Sequence, residues 1–265
     1  MKRPSALAAA ALIGALASLL AAVPSYAAKT TVYVALGDSY SSGVGAGGYD
    51  ASSGSCSRSS LSYTALWAAA HSGTTFTSVA CAGATTDDVL ANQLGALTAK
   101  TTMVTITIGG NDAGFVSVIT TCMLGGDDGC RSAVTSAENY ATGTLPGKLD
   151  RTYAAIRSHA PKARIIVLGY PRLFDLAPSC GWFGMDLTKR KILDEGADLL
   201  VSGIAARAAA AGDTFVDVRS AFAGHGICAA QAWINAVAWP LSDSYHPTSA
   251  GYRSGYLAAL DRVTG

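Results

Sequence analysis

A short polar turn follows the first run of residues that can form a buried strand. Residues 31–36 are mostly apolar, and Gly37-Asp38-Ser39-Tyr40 comes directly after them. In parallel α/β sheets ligands bind outside the carboxyl ends of the strands, so a serine at this place can act as a nucleophile. Glycine, aspartate and serine also favour ordinary turns, which is the alternative for an isolated motif. Ser39 is therefore a candidate nucleophile that needs a base and oxyanion donors from elsewhere in the chain.

A histidine near the end of the chain is the candidate base. His246 precedes Pro247, which restricts the histidine to an extended conformation. Asp243, three residues earlier, can accept a hydrogen bond from one ring nitrogen, and the other nitrogen can then take a proton from Ser39. The alternative is a surface histidine in the turn that caps the last helix. Of the four histidines, His246 alone has a carboxylate at so short a spacing in a loop, so we predict a Ser39-His246-Asp243 triad.

Two further segments place glycines after apolar runs and can supply oxyanion donors. Gly109-Gly110-Asn111-Asp112 follows residues 103–108, and the Asn111 amide offers N–H groups without a charge. Gly83 follows residues 75–80, and no side chain shields its backbone N–H. Both segments also have structural interpretations. Asn111 or Asp112 can cap a helix that begins near residue 113, and Gly83 can be a glycine at a helix entry.

Candidate strands alternate with helical patterns along the chain. We expect strands at 31–36, 75–80, 103–108, 164–168 and 214–218, and helices at 61–71, 86–97, 147–159, 188–211 and 248–261. This βαβ alternation predicts a parallel sheet that is covered by helices on both faces and joined by right-handed crossovers. Five strands suit a three-layer α/β/α fold of the flavodoxin-like type.

The first 27 residues have the pattern of a signal peptide. Lys2 and Arg3 precede an alanine- and leucine-rich stretch, and Ser25 and Ala27 form a small-residue cleavage site. We predict cleavage after Ala27 and a secreted, extracellular protein. A permanent transmembrane anchor is the alternative, but the uninterrupted apolar part is near the lower length limit for a span.

The remaining residues, 28–265, form one predicted domain with little net charge. The whole chain of 265 residues carries a net charge of +1, and the loss of Lys2 and Arg3 makes it −1. No run of like charges is present, which argues against nucleic acid as a partner and against electrostatic anchoring to a membrane. Because no internal repeat or linker is evident, we expect a single domain and a monomer.

Six cysteines are spread over the exported part of the chain, and an even number suits disulfides in an oxidising compartment. Spacing permits several pairings, of which the sequential one is the simplest. The middle pair would close a short glycine-rich loop. A zinc site is the competing interpretation, but no Cys-x-x-Cys pair exists and the histidines are not grouped with the cysteines, so we predict no metal. The sequential pairs are Cys56 with Cys81, Cys122 with Cys130 and Cys180 with Cys228.

Together, the four segments resemble the motif blocks of the SGNH (GDSL) hydrolase superfamily, which is named after its Ser, Gly, Asn and His. Ser39 matches the first block, Gly83 the second, Asn111 the third, and Asp243 with His246 the last, in the order of the family. The resemblance spans the chain from residue 32 to the final helix and implies the same flavodoxin-like fold. Secretion, length and cysteine pattern look most like the extracellular streptomycete-type lipases and esterases.

The resemblance implies a mechanism of acyl transfer to water without a metal or an organic cofactor. Ser39 would attack the ester carbonyl while His246 removes its proton, and the oxyanion would meet the N–H groups of Ser39 and Gly83 and the Asn111 amide. Some secreted relatives hold the histidine with a backbone carbonyl instead of an aspartate. Because Asp243 is present, we predict the full triad. Tyr40 stands where many members have a leucine. We expect the residue at this position to support the loop and to take no part in the chemistry.

The substrate is less constrained than the reaction. We expect a lipase or esterase that acts on lipid or other acyl esters, with short- to medium-chain glycerides first. Acetylated sugars or polysaccharides are the alternative, because the same superfamily serves that chemistry. A non-catalytic extracellular binding protein is the hypothesis from another class. Apolar residues of the connecting segments can line an acyl groove or fill gaps in the core. These residues are Trp182, Phe183, Met185, Trp233 and Trp239.

Overall fold

The computed structural model of the protein describes residues 30–181 and 184–265. The predicted signal peptide, residues 1–27, lies outside the described residues, and so do Trp182 and Phe183. Within the described part of the chain, no helix is both long and apolar enough to cross a membrane.

Five parallel strands form one sheet. They are β1 (Thr31–Gly37), β2 (Thr74–Ser78), β3 (Met103–Thr107), β4 (Arg164–Leu168) and β5 (Thr214–Val216), in the order β2-β1-β3-β4-β5. This order confirms the predicted five-stranded parallel sheet of the flavodoxin-like type. The strand order reverses between β1 and β3, and a ligand crevice is expected outside the carboxyl ends of strands at such a point.

Helices connect the strands. They are α1 (Ser39–Ser42), α2 (Tyr63–Ala70), α3 (Thr86–Asp88), α4 (Phe115–Leu124), α5 (Asp127–Gly143), α6 (Leu145–His159), α7 (Leu187–Ala210) and α8 (Ala258–Thr264). A π-helical segment, Gly251–Leu257, leads directly into α8. Helix α2 packs against this carboxyl-terminal segment, whereas α6 packs against α3, α5 and α7. The two groups cover opposite faces of the sheet, as right-handed crossovers require.

The central strands are buried on both faces. All five residues of β3 are buried, and so are the last four residues of β4 and the last five of β1. Parallel strands covered by helices on both sides have continuous apolar runs, because no face is left to water. This explains why these three strands were predicted from the sequence to within one residue at either end.

The predicted helices differ from the structure mainly between β3 and β4. A helix near residue 113 was considered only as the alternative for Asn111 and Asp112, and α4 does begin close to that position, at Phe115. Helix α5, which packs against α4, was not predicted, because the glycines between Cys122 and Cys130 favoured a loop. Helix 86–97 was predicted as one element, but only α3 is α-helical, and it continues as a π turn and a 3₁₀ turn to Ala96.

All three disulfides follow the predicted sequential pairing. Cys56 bonds Cys81, Cys122 bonds Cys130, and Cys180 bonds Cys228. The middle bond joins the buried face of α4 to the first turns of α5. The first bond fixes the loop after β2, in which Gly83 lies.

Candidate active site

Ser39 is the first residue of α1 and lies at the carboxyl end of β1. The side chain of Asp38 accepts a hydrogen bond from the Tyr40 N–H at 2.9 Å and so caps this short helix. The first backbone N–H groups of a helix have no partners within the helix, so those that the cap does not bind can face a ligand. In the described chain the Ser39 N–H donates to no protein acceptor.

The turn before Ser39 requires glycine. Gly37 has φ of +115°, and a β-carbon there would collide with the carbonyl oxygen of Thr107 on β3. The side-chain amide of Gln93 binds both backbone polar groups of Gly37. It accepts from the Gly37 N–H at 2.7 Å and donates to the Gly37 carbonyl at 2.9 Å. The backbone that presents Ser39 is therefore fixed by two neighbouring elements.

His246 lies against Ser39 although 207 residues separate them in the chain. Its Nε2 atom is 2.7 Å from Ser39 Oγ, and its Nδ1 atom is 2.9 Å from the carbonyl oxygen of Ser244. A carbonyl can only accept a hydrogen bond, so Nδ1 carries the proton and Nε2 is the nitrogen that can accept one from Ser39. Burial lowers the pKa of His246 to about 4, which keeps the imidazole neutral.

The predicted hydrogen bond from the His246 imidazole to the Asp243 carboxylate is not formed. The Asp243 carboxylate instead accepts from the Tyr49 hydroxyl at 2.7 Å, and this hydroxyl accepts from the Gly45 N–H at 2.8 Å. The Ser244 carbonyl occupies the position at Nδ1 that the carboxylate was expected to fill. Asp243 acts on the imidazole only through its charge, which raises the His246 pKa by less than burial lowers it. The geometry therefore matches the alternative in which a backbone carbonyl, here that of Ser244, holds the histidine.

Tyr40 connects the serine loop to the histidine loop. Its hydroxyl donates to the Tyr245 carbonyl at 2.7 Å, and its ring lies 5.1 Å from the His246 imidazole, measured between centroids. Tyr245 has φ of +59°, a conformation that is uncommon for a residue with a side chain. The residue that departs from the family pattern thus positions the backbone next to the histidine.

The Asn111 and Gly83 segments approach each other at the same edge of the sheet. Asn111 Nδ2 donates to the Ala84 carbonyl at 2.9 Å, which leaves its second N–H without a protein acceptor in the described chain. Gly83 has φ of +79°, and the space beside its α-carbon is open. Asp112 does not cap the helix after it. Its carboxylate accepts from the backbone and the hydroxyl of Thr86, at 2.9 and 2.6 Å, and so holds the start of α3.

The buried carboxyl group of Asp38, next to Ser39, is hydrogen-bonded to Tyr170, which the sequence analysis did not select. The Tyr170 hydroxyl donates to Asp38 Oδ2 at 2.5 Å and accepts from the Gly110 N–H at 2.9 Å. Burial raises the pKa of Asp38 to about 7, and the Tyr170 hydrogen bond opposes this rise. Tyr170 therefore ties the Ser39 turn to the Asn111 turn. Its position just after β4 is the signal that could have identified it, because parallel strand ends share one edge.

An apolar pocket begins at Ser39 and extends between α4, α5 and α7. Near its mouth it is lined by Asp38, Ser39, Tyr40 and Asn111. Its walls are apolar for most of their length, and Glu138 is the one charged side chain on them. The apolar side chains that these three helices contribute to the walls are Phe115, Val118, Ile119, Val134, Ala137, Ala141, Leu193, Ala197 and Leu200. Helices α4 and α5 thus supply most of these apolar wall residues. Of the residues expected to line an acyl groove, Met185, Trp233 and Trp239 are not among its lining.

The sequence model of the GDSL-like Lipase/Acylhydrolase family matches residues 35–254. The chain belongs to this family. This confirms the resemblance that the four blocks carry and identifies the protein as a carboxylic-ester hydrolase. The matched range contains Ser39, Gly83, Asn111 and His246.

Streptomyces proteins are similar to this chain over almost its full length. Lipase 1 of Streptomyces coelicolor is 51% identical over 253 residues, which are 95% of this chain and 92% of that protein. The lipase of Streptomyces rimosus is 50% identical over 244 residues, which are 92% of this chain and 91% of that protein. These matches confirm the similarity to streptomycete lipases.

Two crystal structures share both the fold and about half of the sequence. The extracellular lipase from Streptomyces rimosus superimposes with a TM-score of 0.86 at 51% identity, covering 88% of this chain and all of that one. Phospholipase A1 from Streptomyces albidoflavus superimposes with a TM-score of 0.85 at 48% identity, covering 88% of this chain and 99% of that one.

Proposed function

We propose that this protein is a secreted lipase that cleaves acyl esters of lipids with Ser39 as nucleophile and His246 as general base. The 2.7 Å contact between Ser39 Oγ and His246 Nε2 carries the proposal. A hydroxyl at this distance from a neutral imidazole nitrogen can transfer its proton as it attacks a carbonyl carbon.

The Ser244 carbonyl takes the orienting role in this mechanism. By accepting from Nδ1–H at 2.9 Å, it fixes the tautomer in which Nε2 is free to accept. After the attack, the imidazolium that forms keeps this hydrogen bond and then protonates the departing alcohol. Water, activated by the same imidazole, releases the acyl group from Ser39.

The oxyanion is stabilised by three donors at the edge of the sheet: the backbone N–H groups of Ser39 and Gly83 and the side-chain amide of Asn111. In the described chain, neither backbone N–H has a protein acceptor, and Asn111 has one N–H to spare. Donors fixed before the reaction stabilise the charge that develops in the transition state, and loss of one costs about 10² to 10³ in turnover.

The pocket favours lipid esters over acetylated sugars. Its walls beyond Ser39 are apolar side chains from three helices, which suits an acyl chain, whereas an acetyl group would occupy only the mouth. The names of the Streptomyces relatives, lipase and phospholipase A1, support glycerides and phospholipids as the classes to test. The extracellular relative and the three disulfides support secretion, with the predicted cleavage after Ala27.

The deciding experiment combines labelling with a substrate panel. A fluorophosphonate should label wild-type protein and Ser136→Ala, whose serine is exposed on α5, but not Ser39→Ala. Glycerides of increasing acyl length, a phosphatidylcholine and acetylated xylan are hydrolysed in parallel. Labelling of Ser39→Ala, or its normal turnover, would refute the nucleophile. Turnover of acetylated xylan alone would refute the lipid substrate.

A further inference from the structure

The loop that leads to His246 carries exposed apolar side chains at its tip. Trp239 is 88% exposed, Leu241 is 64% exposed and Val237 is 58% exposed. We call residues 237–241 the loop tip. Single exposed apolar residues are ordinary, but three in five consecutive positions form a patch that is costly to leave in water.

The loop holds the tip in a fixed place. At its base the Asn235 N–H donates to the His246 carbonyl and the Tyr245 N–H donates to the Asn235 carbonyl, both at 2.9 Å. Within it, the Ser244 hydroxyl accepts from the Ala238 N–H at 2.9 Å. The residue whose carbonyl orients His246 is therefore bonded to the loop tip itself.

The amino-terminal end of α4, near His246, also presents an apolar side chain to solvent. The Phe115 ring lies 6.2 Å from the His246 imidazole and lines the acyl pocket, and its neighbour Val116 is 68% exposed. Exposed apolar groups thus lie beside His246 on two separate elements, α4 and the loop tip.

The charges near the loop identify the kind of surface that fits. Residues 220–252 contain no lysine or arginine, and their one carboxylate, Asp243, is held by Tyr49. The loop therefore brings no basic group of its own that would attract an anionic membrane, while tryptophan and leucine side chains favour the interface of any lipid aggregate. The occupant that matches is an uncharged or zwitterionic lipid surface.

We propose that the loop tip and Val116 dock this enzyme onto neutral lipid surfaces, so that a lipid passes from the aggregate into the pocket beside Ser39. The choice of lipid as partner rests on the proposed function. The binding itself needs no catalysis and can be measured without it.

Binding is measured by co-sedimentation with dioleoyl phosphatidylcholine vesicles, in a Ser39→Ala background that prevents hydrolysis. Trp239→Ser and Leu241→Ser should each weaken binding about tenfold or more, because each removes a large apolar group from the lipid contact. Leu124→Ser is the matched control. Leu124 is 82% exposed but lies at the other end of α4, and its replacement should leave binding unchanged.

Unchanged binding of both tip variants, or equal loss with Leu124→Ser, would overturn the proposal. A requirement for phosphatidylglycerol in the vesicles, or loss of binding at high salt, would overturn it as well, since both indicate electrostatic binding. With Ser39 restored, Trp239→Ser should hydrolyse dissolved p-nitrophenyl butyrate at the wild-type rate. A matching loss on this soluble ester would show that the tip supports the site instead. Vesicle binding by a protein that hydrolyses no ester would refute the proposed function and leave the docking surface standing.

Discussion

The His246 imidazole is oriented by the backbone carbonyl of Ser244, 2.9 Å from Nδ1, and not by the nearby carboxylate of Asp243. A carbonyl fixes the same tautomer that a carboxylate would, but it carries no full charge with which to stabilise the imidazolium. It also cannot be removed by a side-chain substitution. In a Ser-His-Asp triad one aspartate both fixes the tautomer and stabilises the imidazolium. Here the Ser244 carbonyl fixes the tautomer, and Asp243 contributes only its charge.

Asp243→Asn is therefore expected to lower kcat/KM by less than about tenfold. Where an aspartate orients the histidine directly, the same substitution lowers turnover by about 10⁴, because the wrong tautomer forms. Here the tautomer does not depend on Asp243. The rate is measured with a soluble ester, and Tyr49→Phe, which removes the hydroxyl bonded to Asp243, is the matched control. A thousandfold loss in Asp243→Asn would show that the carboxylate reaches the imidazole during turnover.

The pH profile follows from the burial of His246. Because burial lowers its pKa to about 4, the imidazole is neutral and able to accept a proton at all higher pH values. We expect kcat/KM to fall only as the pH drops through about 4, whereas an unperturbed histidine would titrate at about 6.5.

Asp243 supplies an internal check on this profile. Its negative charge raises the pKa of His246, so Asp243→Asn should move the acid limb to lower pH. Circular dichroism at each pH separates protonation of the base from acid unfolding. An acid limb near pH 6.5 in folded protein would contradict the structure, as would a shift of the limb to higher pH in Asp243→Asn.

Some parts of this site could be predicted from the sequence, and others depend on contacts between distant residues. Strands β1 and β3 are continuous apolar runs, so the positions of Ser39 and Asn111 at their ends followed directly. Spacing alone placed Asp243 within reach of His246. It did not predict that Tyr49, 194 residues away, would bind the carboxylate, or that Tyr245 would adopt a positive φ.

The pocket was less predictable than the catalytic residues. Glycines favoured a loop between Cys122 and Cys130, so α5 was not predicted, and α4 was considered only as a possible helix near residue 113. In the structure α5 packs against both α4 and α7, and such packing depends on the whole fold. Gln93 and Tyr170 escaped notice for the same reason, since their partners lie 56 and 132 residues away in the chain.

Tyr170→Phe is expected to lower both stability and turnover. The substitution leaves the buried Asp38 carboxylate and the Gly110 N–H without the shared hydroxyl, which costs about 1 to 3 kcal/mol in the free energy of unfolding. Because Asp38 caps the helix that begins with Ser39, and Gly110 precedes Asn111, kcat should fall while KM changes little.

Tyr256→Phe is the matched control for Tyr170. Its hydroxyl is also buried and donates to the Gly169 carbonyl at 2.9 Å, but it touches neither Asp38 nor Gly110. Chemical denaturation and steady-state kinetics are measured for both variants. If kcat falls equally in the two, Tyr170 acts through general stability and has no particular role in positioning the Ser39 and Asn111 turns.

Ala197 lines the acyl pocket on α7, and a larger side chain there should shorten the acyl chain that the enzyme accepts. Ala197→Leu adds three carbon atoms between α7 and the facing helices, so a long acyl chain loses room while a short one near Ser39 does not. We expect the ratio of kcat/KM for p-nitrophenyl decanoate to that for the butyrate to fall about tenfold or more, as loss of one or two methylene contacts predicts. Ala206→Leu, at an exposed position of the same helix, controls for the added side chain and should leave the ratio unchanged. An unchanged ratio in folded Ala197→Leu would mean that the acyl chain binds outside this pocket. A rise in the ratio would mean that the added leucine extends the apolar contact with the acyl chain instead of blocking the pocket.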